Sequence, residues 1–166
     1  MPPSRVDVVV SDAGPLISLG RLDLLQLLPA LFAHVQVPHE VLAECLARPE
    51  QADTQCVLAA LDAGWLHVCA ALPLAEPPEL GLGERAAIGR ALEIGAGLLA
   101  DDLGARTVAK AHGLAVIGTL GVLVIAKKSG HIERIAPLIE RLRASGQRLS
   151  HTAVADALAM AGELSP

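Results

Sequence analysis

Short unbroken apolar runs alternate along this chain with longer stretches of helical period. VDVVVSD (6–12) is β-branched with no polar alternation, which predicts a strand covered on both faces. HVQVP (34–38), WLHVC (65–69), GLLAD (97–101) and LAVIG (114–118) predict four more strands. Between them, GPLISLGRLDLLQLLPALF (14–32) reads as helical pieces punctuated by Gly20 and Pro29. PHEVLAECLA (38–47) predicts a helix with Pro38 in its first turn, and ADTQCVLAALDAG (52–64) one closed by Gly64. LPLAEPPELG (72–81) is a Pro-rich connection. Helices are expected at 83–96, 103–113, 119–130 and 132–146, the last requiring Pro137 to begin a new segment. Ser150 is placed to cap a final helix over about 150–162. Strands alternating with helices throughout predict an α/β domain with a mostly parallel sheet. No repeat, low-complexity stretch or linker divides it, so 1–166 reads as a single domain.

Composition narrows the chemistry. Hydrophobic residues make up 52% of 166 residues, enough for a real core. Phe32 and Trp65 are the only Phe, Trp or Tyr, so that core is aliphatic and lacks stacking platforms for single-stranded nucleic acid. Any grip on RNA must then be electrostatic. The net charge is −5, unevenly spread: residues 127–148 hold six basic and two acidic side chains. That pattern allows a cation-binding site with a local anion-binding edge. No apolar run is long enough to span a bilayer, and the N-terminal stretch has no signal-peptide pattern. Cys45, Cys56 and Cys69 match no ligand spacing and read as reduced small hydrophobes in a cytoplasmic protein.

In parallel sheets, function gathers at the carboxyl ends of the strands. There this chain places acids: Asp12 after the first strand, and Asp101 and Asp102 after the fourth. Glu40 and Glu44 share a helix face, and Glu84 opens the helix after the Pro-rich stretch. If the strand ends cluster, several carboxylates converge without matching Lys or Arg, which favours a bound cation. The donors are all oxygen, a set that selects Mg²⁺ or Mn²⁺ over Zn²⁺. Each acid also has a purely structural reading. Asp12, Glu84 and the Asp101–Asp102 pair suit helix starts, and Glu44 suits a solvated face. Phosphate-loop, dinucleotide and nucleophile-elbow patterns are absent, and the six histidines are dispersed.

Four ordered motifs carry a family resemblance: VVVSDAGPLISLGRL, VPHEVLAEC, GLGERAAIGRALEIGAGLLADDLGAR and GLAVIGTLGVLVIAKKSG. Together they resemble PIN-domain proteins, most closely the branch related to VapC-type toxins, over about residues 6–146. The resemblance implies a three-layer α/β/α sandwich and metal-assisted hydrolysis of RNA with Mg²⁺ or Mn²⁺. It implies catalytic roles for Asp12, Glu44, Glu84, Asp101 and Asp102. Asp12, Glu44, Glu84 and Asp102 are the implied metal ligands; Asp101 is the near alternative to Asp102, and Glu40 falls outside the motif. Ala13 and Gly14 stand where relatives often carry a polar residue. Thr119 is expected to support the site. Arg106, Thr119, Lys127 and Lys128 are the expected RNA contacts. The implied partners are RNA, a cognate antitoxin and a second copy in a homodimer. The competing expectations are an inactive interaction module and a metal-dependent phosphatase; SDAGPL lacks the D-x-D pattern of the latter.

Overall fold

The computed structural model describes residues 6–164. Strands β1 (Val6–Ser11), β2 (Phe32–Pro38), β3 (His67–Cys69), β4 (Gly97–Leu99) and β5 (Val116–Ile117) form one sheet in the order β3-β2-β1-β4-β5. Every pairing is parallel. The helices are α1 (Ala13–Arg21), α2 (Leu27–Leu31), α3 (His39–Cys45), α4 (Ala52–Asp62), α5 (Leu82–Ile94), α6 (Leu103–Ala111), α7 (Thr119–Lys128), α8 (Ala136–Ala144) and α9 (His151–Met160). They flank the sheet, giving the α/β/α architecture that the alternating pattern and the resemblance lead one to expect.

The central strands explain why their sequences lack alternation. Val9 and Val10 on β1, and Leu98 and Leu99 on β4, are all buried. Consecutive buried residues point to opposite faces, so both faces are covered. The two edge strands are only three and two residues long, short enough to offer little template for stray pairing. The chain starts mid-sheet, winds out to β3, and crosses back to β4 on the other side of β1. The strand order therefore reverses between β1 and β4, and the crevice beyond their carboxyl ends is where such sheets bind ligands.

Several expected boundaries shift. β4 stops at Leu99 and β5 covers only Val116–Ile117. Gly20 does not interrupt α1; it lies inside the helix and packs against α4. The chain turns instead at Asp23, with φ at 55°. Pro29 lies within α2, whose five residues leave its missing N–H without a partner to lose. The expected helix over 132–146 begins at Ala136, with Pro137 in its first turn. Ser150 caps α9 as expected, its hydroxyl accepting from the Ala153 amide at 3.0 Å.

Glu163 ties the far end of the fold together. Its carboxylate accepts from the Ile135 and Ala136 amides at 2.8 and 3.1 Å, capping α8, and from Lys127 Nζ at 3.0 Å. Among the described residues no helix is long and apolar enough to cross a membrane.

Candidate functional site

The site begins where β1 runs out. The Asp12 amide donates to the Leu99 carbonyl at 2.8 Å, which stitches the end of β1 to the end of β4. Asp12 occupies the N-cap position of α1, yet its side chain caps nothing. It is 5% exposed, and Oδ1 is sealed without a hydrogen-bond partner. Burial pushes the carboxyl up to about 7; the Ala13 amide draws it down, while Glu84, Glu44 and Asp101 push it further up. A helix cap would have satisfied that oxygen. Left orphaned among three other acids, it is a costly feature that a cation would relieve.

Asp101 is one of the acids whose charge acts on Asp12. Thr119, at the first position of α7, donates its amide to Asp101 Oδ1 and its hydroxyl to Oδ2, each at 2.7 Å. Arg106, one turn into α6, donates to the carbonyl of Ala100 at 2.9 Å and so fixes the backbone just before Asp101. On the other side, Asp101 packs on Gly14, where an added Cβ would lie 3.3 Å from Oδ2. The missing polar residue after Asp12 thus has a steric reason: Asp101 fills the space a side chain at position 14 would need.

The third wall comes from α3 and α5. Glu44 leans on Gly83 so closely that an added Cβ would overlap its carboxylate, standing 2.9 Å from the carboxyl carbon. Only glycine allows that approach. Burial and Glu84 raise the Glu44 pKa, and the Gly83 amide lowers it. Glu84 itself turns back to accept from the Gly81 amide at 2.9 Å, closing the start of α5.

Asp102 points elsewhere. It is the N-cap of α6, its Oδ2 accepting from the Ala105 amide at 2.9 Å. Asp101, not Asp102, is the member of the pair among the charges acting on Asp12. The adjacent aspartates divide the work because neighbouring side chains at a strand end diverge: one turns into the crevice, the other into the helix. Glu40, expected to share a face with Glu44, acts on Cys69 at the β3 edge and is not among the charges acting on Asp12.

The basic residues expected to guide RNA separate as well. Thr119 starts α7, whereas Lys127 and Lys128 end it, about 12 Å further along the axis. Lys127 is already paired with Glu163 at 3.0 Å. Arg106 is occupied with the Ala100 carbonyl. The cysteines are free, and burial pushes the Cys45 thiol up to about 12, leaving it unreactive.

Asp12, Glu44, Glu84 and Asp101 thus form one coupled acidic group at the switch point. Glu84 and Asp101 are each turned to a hydrogen-bond donor of the fold. In this arrangement no three His, Cys, Asp or Glu side chains among the described residues stand close enough to hold one ion.

Comparison with known proteins agrees with this architecture. A solved structure described as a PilT N-terminus domain protein from the hyperthermophilic archaeon Sulfolobus solfataricus superposes with a TM-score of 0.52 at 22% identity. The match covers 78% of this chain and 98% of that one, and it supports the fold. No curated protein matches significantly. A family model described as a PIN domain (DUF3368) matches residues 8–163, nearly the whole chain. With the parallel sheet, the switch-point crevice and the ordered motifs in hand, the chain belongs to the PIN-domain family.

Proposed function

We propose that this protein is a divalent-metal-dependent ribonuclease that hydrolyses RNA phosphodiester bonds. PIN domains are generally nucleases. The observation that carries the reading here is the buried, unpartnered Asp12 Oδ1 within a group of four carboxylates. A group of hard oxygen donors with no cationic side chain at its centre suits Mg²⁺ or Mn²⁺.

Asp12, Glu44 and Asp101 would hold the ion, with Glu84 joining once it releases Gly81. A divalent ion bound there supplies an acidified water and neutralises charge developing on the phosphate. The chain's own residues do the rest. Asp12 is fixed by the β1–β4 stitch and holds a buried, unpartnered oxygen. Thr119 and Arg106 set Asp101 in place. Gly83 lets Glu44 reach the crevice without a side chain between them. The carboxylates would have to rotate to converge on one ion, and Glu44, on an exposed face of α3, has freedom to do so.

A role as the VapC-type toxin of a toxin–antitoxin pair, with a cognate antitoxin and a homodimer as partners and a cytoplasmic setting, is part of the same proposal. It is supported by the order of the sequence motifs alone. The test uses labelled single-stranded RNA with Mn²⁺ or Mg²⁺, beside EDTA and the Asp12→Asn and Asp101→Asn variants. Cleavage that needs the metal and both aspartates supports the nuclease. Absence of cleavage together with absence of calorimetric Mn²⁺ binding would leave the interaction-module reading in its place.

A further inference from the structure

We infer that Arg21 and Arg48 form the track that holds the phosphate backbone of single-stranded RNA beside the acidic group. This inference rests on the nuclease reading and adds where the substrate lies. A groove of about 320 Å³ lies at the junction of α1, the α3–α4 turn and α4. It is lined by Ile17 and Arg21 of α1, Glu44 of α3, Arg48 of the turn, and Asp53 and Thr54 of α4. Glu44, a member of the acidic group, is thus one of its lining residues.

Both guanidinium groups are exposed and free. No ion pair or side-chain hydrogen bond engages Arg21 or Arg48 among the described residues. Several other basic side chains are engaged: Lys127 and Arg134 with Glu163, Arg90 with Glu93, Arg143 with Glu140, and Arg106 with Ala100. Two unengaged arginines lining one groove with Glu44 provide what a polyanion needs to lie against acids. The planar fork of arginine suits phosphate oxygens.

The fold builds this groove. An added Cβ on Gly20 would lie 3.1 Å from the Asp53 Cβ, so α1 packs directly on the first turn of α4. That contact sets Arg21, the next residue, over the groove. Arg48 sits on a braced turn. The Thr54 hydroxyl lies 2.7 Å from the Arg48 carbonyl and 3.0 Å from that of Cys45, and Gln55 Nε2 donates to the Pro49 carbonyl at 2.9 Å. Asp53 is the opposing charge on the lining. It is 8% exposed and sits in the first turn of α4, where the helix dipole favours a negative charge. With few aromatics to stack bases, recognition along this track is of backbone and independent of sequence.

The test is RNA binding as well as cleavage. Fluorescence anisotropy with a labelled single-stranded RNA is read across a salt series, using Asp12→Asn protein to prevent cutting. It compares that background with added Arg21→Ala/Arg48→Ala, and with added Arg90→Ala/Lys110→Ala as a charge-matched control. We expect the first pair to weaken binding at least tenfold and to lower the slope of log K against log salt by about 1.4, two phosphate contacts' worth. The control pair should change neither. In the cleaving protein, Arg21→Ala/Arg48→Ala should raise KM more than it lowers kcat, with calorimetric Mn²⁺ binding unchanged. Binding and cleavage that survive the Arg21/Arg48 changes would overturn the track and leave the nuclease reading standing. Wild-type protein that neither binds nor cuts RNA would overturn both.

Discussion

Thr119 grips Asp101 with both of its hydrogen-bonding groups, the amide on Oδ1 and the hydroxyl on Oδ2, each at 2.7 Å. Thr119 is 1% exposed, so the pair is shielded at the start of α7. The contact decides which of two adjacent aspartates faces the crevice. Thr119→Val removes the hydroxyl at nearly constant volume and leaves Asp101 Oδ2 short of a donor. Mn²⁺ affinity measured by calorimetry should fall about tenfold, equivalent to roughly 1.4 kcal/mol for one charged hydrogen bond. Thr119→Ser should restore most of it.

The two aspartates should separate cleanly by mutation. Asp101→Asn is expected to abolish metal-dependent cleavage while the protein stays folded. Asp102→Ala should keep cleavage near wild type and cost about 1 kcal/mol of stability through the lost α6 cap. Thermal melts beside RNA cleavage assays decide the matter; the opposite pattern would restore Asp102 to the ligand set.

Asp12 sets a pH dependence whose sign is fixed by its raised pKa. The folded protein releases the Asp12 proton near pH 7, whereas the unfolded chain releases it near the ordinary value of 3.8. Between those values the folded state binds more protons, so this group's contribution to stability falls as pH rises through that window. Above pH 7 the full penalty remains. Asp12→Asn should therefore stabilise the metal-free protein at pH 8, by roughly 5–10 °C in Tm, and the gain should shrink towards pH 4. Metal-dependent activity, which needs the ionised carboxylate, should rise with pH up to about 7 and extend to lower pH as Mn²⁺ is raised.

Gly83→Ala tests the close approach of Glu44. The new methyl would overlap the Glu44 carboxylate, and Glu44, on an exposed helix face, can swing outward. The expected outcome is weakened Mn²⁺ binding with a Tm change of only a few degrees. Unfolding of the variant would instead show that Gly83 serves packing first.

Glu163 lies far from the crevice and should affect stability alone. Burial raises its pKa, but the Ile135 and Ala136 amides and Lys127 outweigh that and leave it lowered. Its contribution is present at neutral pH and is lost as pH falls through the carboxylate range. Glu163→Ala leaves two amides and Lys127 without their acceptor and should cost about 1–3 kcal/mol in urea melts, with cleavage per folded molecule unchanged.

The sequence by itself determined the architecture and the identity of the acids. Short unbroken β-branched runs favour strands buried on both faces, and their alternation with helical stretches favours crossovers and a parallel sheet. Strand ends made Asp12 and the aspartate pair stand out in one dimension, and the ordered motifs added Glu44 and Glu84. Boundaries were less so: Gly20 reads as a helix breaker locally, yet it is the contact point of two helices. Only the tertiary structure decided which aspartate of the pair turns inward, because that depends on Thr119, Arg106 and Gly14 arriving from three separate elements. It also decided which basic residues are free. Charge counting along the chain favours 127–148, but Lys127 and Lys128 sit at the far end of α7, and Lys127 is held by Glu163. Arg21 and Arg48, 27 positions apart in sequence, meet beside Glu44 because α1 packs on α4. Hydrophobic periodicity is a local property and survives in the sequence; the pairing of charges is set by long-range packing and does not.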